Sequence, residues 1–252
     1  MKLATWNVNS IRARIDHLLA WLALRQPDAV CLQETKVVDE LFPVDRLAEA
    51  GYSAAYWGER TYNGVAILSR EPVTDVRTAF PLAENPDRRL ISGLLHGIRI
   101  YCAYFPHGRD PLGPTFPVKL AWIEGLGDIV FADPGPFVLM GDFNVAPDPL
   151  DVYDPVAMEG IIHYTPEERA AIHALLDRGL VDAFRLRRPE GGLYSWWDYR
   201  QGSFRRNLGW RIDHAFITPD LADHVVDAFI DRDERTKPQA SDHAPVVVEL
   251  DL

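Results

Sequence analysis

The stretch FVLMGDFNVAP, Phe137 to Pro147, is the strongest constraint on what this chain can fold into. Phe137 to Gly141 are apolar or glycine, long enough for a buried strand. The run ends on Asp142 and Asn144, and on an extended chain that i, i+2 spacing puts both on one face. A carboxylate and a carboxamide at the mouth of a buried strand serve no packing purpose, and burying them unpaired is costly. An Asx turn would also place Asp and Asn after a strand. Recurrence of the arrangement along the chain decides between the two readings.

Strands are predicted over Met1–Trp6, Ala29–Gln33, Gly64–Leu68, Leu90–Leu95, Ile98–Phe105, Phe137–Met140, Tyr194–Trp197, Arg211–Ile217, Val225–Ile230 and Pro245–Leu250. Helical spacing of Ile11, Ile15, Leu18, Leu19 and Leu22 predicts a helix that Pro27 stops. Further helices are expected over Val44–Ala50 and Pro117–Val130. In TPEERAAIHALLDRG, Thr165 is the N-cap, Pro166 the first helical residue, Glu168 the closing member of a capping box, and Gly179 the stop. Helices that follow strands in both halves predict two similar α/β halves with their sheets face to face and helices outside, in one domain spanning residues 1–252.

Polar side chains gather at the strand ends: Asn7, Glu34, Tyr104, Asp142 with Asn144, Asp213 in RIDH, and Asp242-His243 before the last strand. All are of metal-ligand or proton-transfer type, so convergence on one edge of the sandwich is expected. Oxygen donors without clustered Cys or His suit a hard cation, Mg²⁺ or Mn²⁺, rather than zinc. Mg²⁺ normally binds phosphate oxygens beside one or two carboxylates, which points to phosphoryl chemistry. No GxxxxGK loop is present, which argues against a nucleotide triphosphatase.

A net charge of −11 counts against nucleic-acid binding, because affinity for DNA rests on Lys and Arg. A local strip of arginines on an acidic protein overcomes that objection, with Arg88, Arg109 and Arg205 among the candidates. Cys31 and Cys102 lie in apolar runs and are expected as buried thiols in a reducing cytoplasm. Neither a secretory h-region nor a membrane-spanning apolar stretch is visible in the sequence.

The segments WNVNSIRAR, LQETK, NGVAILSR, AYFPHG, GDFNVAP, SWWDYR, GWRIDH and SDHAPV, in this order, resemble the exonuclease III branch of the endonuclease/exonuclease/phosphatase superfamily. They run from Trp6 to Val246, nearly the whole chain. The resemblance implies a four-layered α/β sandwich and a Mg²⁺-dependent nuclease. That enzyme would act, as a monomer, on double-stranded DNA at abasic sites, nicks or recessed 3′ ends. It further implies Glu34 as principal magnesium ligand beside Asn7 and Asp242, and Asp142 as the group that activates or orients the attacking water. Asn144 would hold the phosphate and Tyr104 would donate toward the phosphate or the leaving oxygen. His243, oriented by Asp213, would contact a phosphate oxygen, and Trp196 would border the deoxyribose pocket.

Each residue also has a plainer reading. Asp213 would pair with Arg211, Asp242 would cap the turn before Pro245, and Trp197 would be core. His17, His96, His173 and His224 have no motif context, and His214 faces away from Asp213. Asn9 stands where some relatives carry aspartate, which weakens a second metal position. The segment Asp151 to Tyr164 departs from the family pattern. If His163 and Tyr164 project into the pocket they would exclude a flipped-out abasic sugar and favour 3′-end trimming; otherwise His163 caps or packs on the following helix. A phosphatase or phospholipase of the same superfamily, acting on inositol phosphates or sphingomyelin, is the alternative, sharing GDFN and SDH. A catalytically silent binding module would have lost Glu34, Asp142 or His243, and all three are present.

Overall fold

The computed structural model describes residues 1–78, 80–82 and 87–252. The strands are β1 Lys2–Asn7, β2 Ala29–Gln33, β3 Ser53–Trp57, β4 Val65–Ser69, β5 Thr74–Arg77, β6 Leu90–Leu95, β7 Ile98–Tyr104, β8 Phe137–Asp142, β9 Val181–Asp182, β10 Asp213–Ile217, β11 Val225–Ile230 and β12 Val246–Leu250. The α-helices are α1 Ile11–Arg25, α2 Val44–Glu49, α3 Thr115–Ala132, α4 Pro166–Asp177 and α5 Ala183–Arg187. Two six-stranded sheets form, in the orders β11-β12-β1-β2-β4-β3 and β5-β6-β7-β8-β10-β9. β1 and β2 are parallel, as are β7 and β8, while the other pairs are antiparallel. Each parallel pair is joined through a long helix, α1 or α3, as a crossover requires.

Three apolar layers account for the packing. Leu3, Ile67, Ile91, Val138, Met140 and Val248 fill the space between the sheets. Trp6, Ile15, Leu18 and Trp21 pack α1 on the outside of one sheet. Phe105, Ile123, Leu126 and Ile172 pack α3 and α4 on the outside of the other. The result is the predicted four-layered sandwich.

Strand periodicity carries this core into the polar edge. Along β8, Val138 and Met140 face the opposing sheet and Asp142 continues that face. Leu3 likewise leads through Thr5 to Asn7 on β1, and Ala215 and Ile217 share the face of Asp213 on β10. Asp142 is in register with Tyr104 on one side and Asp213 on the other, so the three form a row across the sheet. The apolar sandwich is therefore closed at one end by polar side chains.

Several elements differ from expectation. Tyr194–Trp197 is not a strand but a loop across the ends of β10 and β12, with single bridges from Trp196 to Trp210 and His243. Its aromatic side chains read as strand formers, whereas its backbone pairs outside both sheets. β3, β5 and β9 were not expected; β3 is only half-buried, β5 is exposed and β9 has two residues, so none carries a strong apolar pattern. The capping box at Thr165 and Glu168 is present as predicted.

Arg211 does not pair with Asp213. Its guanidinium lies wholly buried between Asp151 (2.7 Å) and Asp182 (2.8 Å), and Asp151 also receives Arg185. This network ties the start of the segment after GDFN to the loop before β10. Cys31 and Cys102 are free thiols in the core, and Trp197 is fully buried, both as expected. Among the described residues no helix is long and apolar enough to cross a membrane.

Candidate active site

The polar row at the sandwich edge is joined by Asn7 at the end of β1 and by residues of the neighbouring loops. Asn7 donates through Nδ2 to both Glu34 Oε1 (2.8 Å) and Asp142 Oδ2 (2.9 Å), bridging the two sheets. Tyr104 donates its hydroxyl to Glu34 Oε1 at 3.0 Å, and Lys36 pairs with Glu34 Oε2 at 2.6 Å. Burial alone would raise Glu34, but the Lys36 ammonium and the Asn7 amide outweigh it and hold the carboxyl below its ordinary range.

His243 donates Nδ1–H to Asp213 Oδ2 at 2.8 Å, and its Nε2 stands 3.8 Å from Asp142 Oδ2. Burial works against a charged imidazole, yet Asp213 and Asp142 push His243 up to about 10. Asp142 is raised to about 7, first by burial and then by the Asp213 carboxylate, against the pull of His243. The aspartate is thus a weak acid, and its conjugate base is correspondingly proton-seeking. Tyr104 is pushed well above the usual phenol range by burial and by the charges of Glu34 and Asp142, so it is a donor.

Asp242 accepts from Asn9 Nδ2 (3.1 Å) and from the Trp196 indole N–H (3.0 Å). Although burial opposes it, His243 and those donors keep Asp242 ionised below its ordinary value. Asp242 therefore does not cap the turn before Pro245; Ser241 Oγ takes that part by accepting from His243 N–H at 3.2 Å.

The backbone is bent to make these meetings possible. Glu34, Lys36, Asn9 and Asn144 all adopt positive φ, between 44° and 53°. Such conformations are uncommon away from glycine and concentrate at functional sites. Gly141 of GDFN is needed for a different reason: a Cβ there would sit 1.8 Å from the Ala103 carbonyl oxygen. Asn144 is held by its own N–H to Asp142 Oδ1 (2.9 Å) and by Nδ2 to Phe105 O (3.0 Å).

Two cavities flank this cluster and share His107. One, of about 430 Å³, is lined by Trp57, Tyr62, Arg89, Tyr104 and Arg109. The other, of about 460 Å³, is lined by Tyr153, His163, Trp196, Arg200 and Trp210. His163 donates Nδ1–H to the Asn144 carbonyl at 2.6 Å and faces this second cavity, so it is not the helix cap; Thr165 is. Tyr164 is buried against Trp210 and Val152 and does not project into the cavity. Arg109 and Arg89 line the first cavity, while Arg88 stacks on Trp57 at 4.3 Å. Arg205 is exposed on the turn that walls the second cavity.

The sequence profile described as the endonuclease/exonuclease/phosphatase family matches residues 4–243. The chain is 34% identical to the exodeoxyribonuclease III of Haemophilus influenzae, over 99% of this chain and all of that one. This chain belongs to that family, in its exodeoxyribonuclease III branch. Similarity extends to solved structures of the branch. A 3′ phosphatase from Neisseria, bound to a product DNA hairpin, superposes with a TM-score of 0.97 at 39% identity, covering both chains completely. An AP endonuclease from Archaeoglobus fulgidus gives 0.96 at 36% identity, again covering both chains.

Within this exonuclease III-type site the sequence-derived set Asn7, Glu34, Tyr104, Asp142, Asn144, Asp213, Asp242, His243 and Trp196 is drawn together at one edge. Sequence reasoning missed Lys36 as the partner of Glu34, although it is the last letter of LQETK. It missed Trp210, which stands opposite Trp196 in the second cavity and whose signal was the Trp of GWRIDH. Ser195, whose Oγ accepts from the Ile212 and Asp213 N–H groups (both 3.1 Å), had no sequence signal beyond its place in SWWDYR. His17 is engaged with Glu234, and His96, His173 and His224 make no bond to a site residue among those described.

Proposed function

We propose that this exodeoxyribonuclease III-type DNA-repair nuclease cleaves phosphate esters at 3′ ends and abasic sites of duplex DNA with a bound divalent cation, and that 3′ ends are its preferred substrate. The observation that carries the reading is the bridged cluster in which Asn7 links Glu34 to Asp142 while His243 faces Asp142. The family is metal-dependent. The donor set fits a magnesium or manganese ion in its chemistry: Glu34 and Asp242 offer half-buried carboxylate oxygens, with the buried Asn7 amide bonded to Glu34. Asp142, Asp213 and His243 also bring ligand-type atoms within 4.8 Å of one another. There, however, His243 is engaged as a proton donor to Asp213, and an imidazolium has no lone pair for a metal.

When bound, the cation would compensate charge on the phosphate and on the departing oxygen. The protein's own groups divide the remaining work. Asp142, held by Asn7 and the Asn144 N–H, accepts the proton of the attacking water. His243 and Asn144 donate to non-bridging phosphate oxygens, where negative charge accumulates as water attacks. Tyr104, kept protonated, would turn its O–H from Glu34 to donate toward the phosphate or the leaving 3′ oxygen. Trp196 and Trp210 border the sugar. The relatives named above are DNA enzymes, which favours DNA over an inositol phosphate or a phospholipid.

Preference for 3′ ends follows from His163, whose ring stands 4.4 Å from that of His107 at the cavity shared with Trp196 and Trp210. A sugar flipped into this cavity would meet the imidazole, whereas a frayed 3′ terminus can approach from the open side. The test uses nicked 3′-phosphate, recessed-end and abasic duplexes with Mg²⁺, with and without EDTA. All activities should vanish in chelator. His163→Gly should raise abasic cleavage relative to 3′-phosphate removal by about 10-fold or more, the scale of relieving one clash in a pocket. Unchanged relative rates would reject the preference, and full activity in EDTA would reject the cation.

A further inference from the structure

Lys119 is out of place on its helix. It lies in α3, TFPVKLAWIEGLGDIVFA, among residues that face the apolar layer, and its side chain is wholly buried. An ammonium there gives up its hydration, which a packed methionine would not. Among the described residues its one ion-pair partner, Glu168, is equally buried. Pairs of this kind are weak sources of stability, so what the ammonium touches matters more than the pair itself.

The three N–H groups of Lys119 reach three different segments. One meets Glu168 Oε1 in the first turn of α4, whose other oxygen accepts from Thr165 N–H and closes the capping box. A second donates to the carbonyl of Asn144 at 2.7 Å, and the third reaches the carbonyl of His107 at 3.4 Å. All three lie beneath the catalytic edge. Asn144 sits at φ +52°, a conformation that needs support from its surroundings. Its N–H goes to Asp142, its Nδ2 to Phe105, and its carbonyl receives both Lys119 and His163. Among the described residues Nδ2 bonds only the Phe105 carbonyl, so the amide is anchored by one N–H and its second N–H is left to donate to a phosphate oxygen.

We propose that the buried Lys119–Glu168 pair is a positioning element for the reaction: by gripping the Asn144 carbonyl it fixes the left-handed turn that aims the Asn144 carboxamide at the substrate phosphate. Lys119 touches neither substrate nor cation; it acts through Asn144. The inference rests on the phosphate-binding role given to Asn144 above. It also explains why a helix from one crossover and a helix from the next loop are joined by charge at a point where apolar contact would serve packing as well.

The test is a double-mutant cycle on the 3′-phosphate duplex with Mg²⁺. Lys119→Met/Glu168→Gln leaves no unpaired charge, and glutamine still closes the capping box. This variant should keep the parent's thermal midpoint and KM, while kcat falls by about 10–100-fold, the scale of a displacement near 1 Å. In an Asn144→Ala background the same two changes should cost no further kcat, because the group they position is gone. A merely structural role would instead give losses that multiply in that background, or that follow the thermal midpoint, and either result overturns the proposal. If Asn144→Ala alone retains parental kcat, the role of Asn144 has failed. If Asn144→Ala is slow but the pair variant is as fast as the parent, only the positioning inference has failed. Should the pair variant not fold, Lys119→Gln/Glu168→Gln, which keeps amide donors and leaves no charge unpaired, enters the same cycle with the same expected non-additivity.

Discussion

Asp142→Asn is expected to lower kcat on a 3′-phosphate duplex by about 10²–10⁴-fold, the range for loss of a general base. The carboxylate is placed for that role from both sides. Its Oδ1 accepts the Asn144 N–H and its Oδ2 the Asn7 amide, both at 2.9 Å, and His243 stands 3.8 Å away. Asparagine has nearly the same shape but one oxygen becomes a donor, so it must face either Asn7 or Asn144 with N–H against N–H. It also cannot accept a proton from water at any working pH. DNA affinity, measured by fluorescence polarisation, should stay within about threefold, since recognition rests on the cavity walls rather than on this buried group. Single-turnover kinetics check the rate. A variant within threefold of the parent (about 0.7 kcal/mol) would remove Asp142 from the chemistry.

Arg211→Met should destabilise the fold by about 3–5 kcal/mol, the usual result of removing one partner from a buried ionic network. Asp151 and Asp182 both lose the guanidinium that lies between them, and Asp151 keeps Arg185 and the Asp148 N–H. Asp182 also caps α5 by accepting from Phe184 N–H at 3.1 Å, so its displacement frays that helix as well. Urea unfolding followed by tryptophan fluorescence measures the loss. A change under about 1 kcal/mol would mean that the network contributes specificity of loop placement rather than stability.

Much of this molecule could be read from its residues because its site is a continuation of its core. On β1, β8 and β10 the side chains that face the opposing sheet alternate as apolar residues and then end on Asn7, Asp142 and Asp213. A period of two thus located both the interior and the chemistry. The same logic fails where residues act without periodicity. Tyr194–Trp197 reads as a strand by composition, yet it crosses strand ends, and Trp210 reaches the second cavity from the loop that pairs with it. Lys36 and Lys119 look like ordinary cations, and only the fold shows one against Glu34 and the other buried under Asn144. Arg211 was taken as a neighbour's partner because sequence proximity suggested Asp213. Arg211 precedes β10, outside the strand's alternation, and its guanidinium turns to Asp151 and Asp182.

The proposed function requires that groups from both ends of the chain hold one divalent cation at the edge of the sandwich, with Glu34 as its principal anchor. A Mn²⁺ titration read by electron paramagnetic resonance, without DNA, addresses this independently of turnover. Glu34→Gln is expected to weaken Mn²⁺ binding by about 100-fold or more, since even an outer-sphere partner is worth 10–100-fold, while Asp213→Asn leaves it within a few-fold of the parent. Parental affinity in Glu34→Gln, with binding lost in Asp213→Asn, would place the ion among Asp142, Asp213 and His243 and contradict the account.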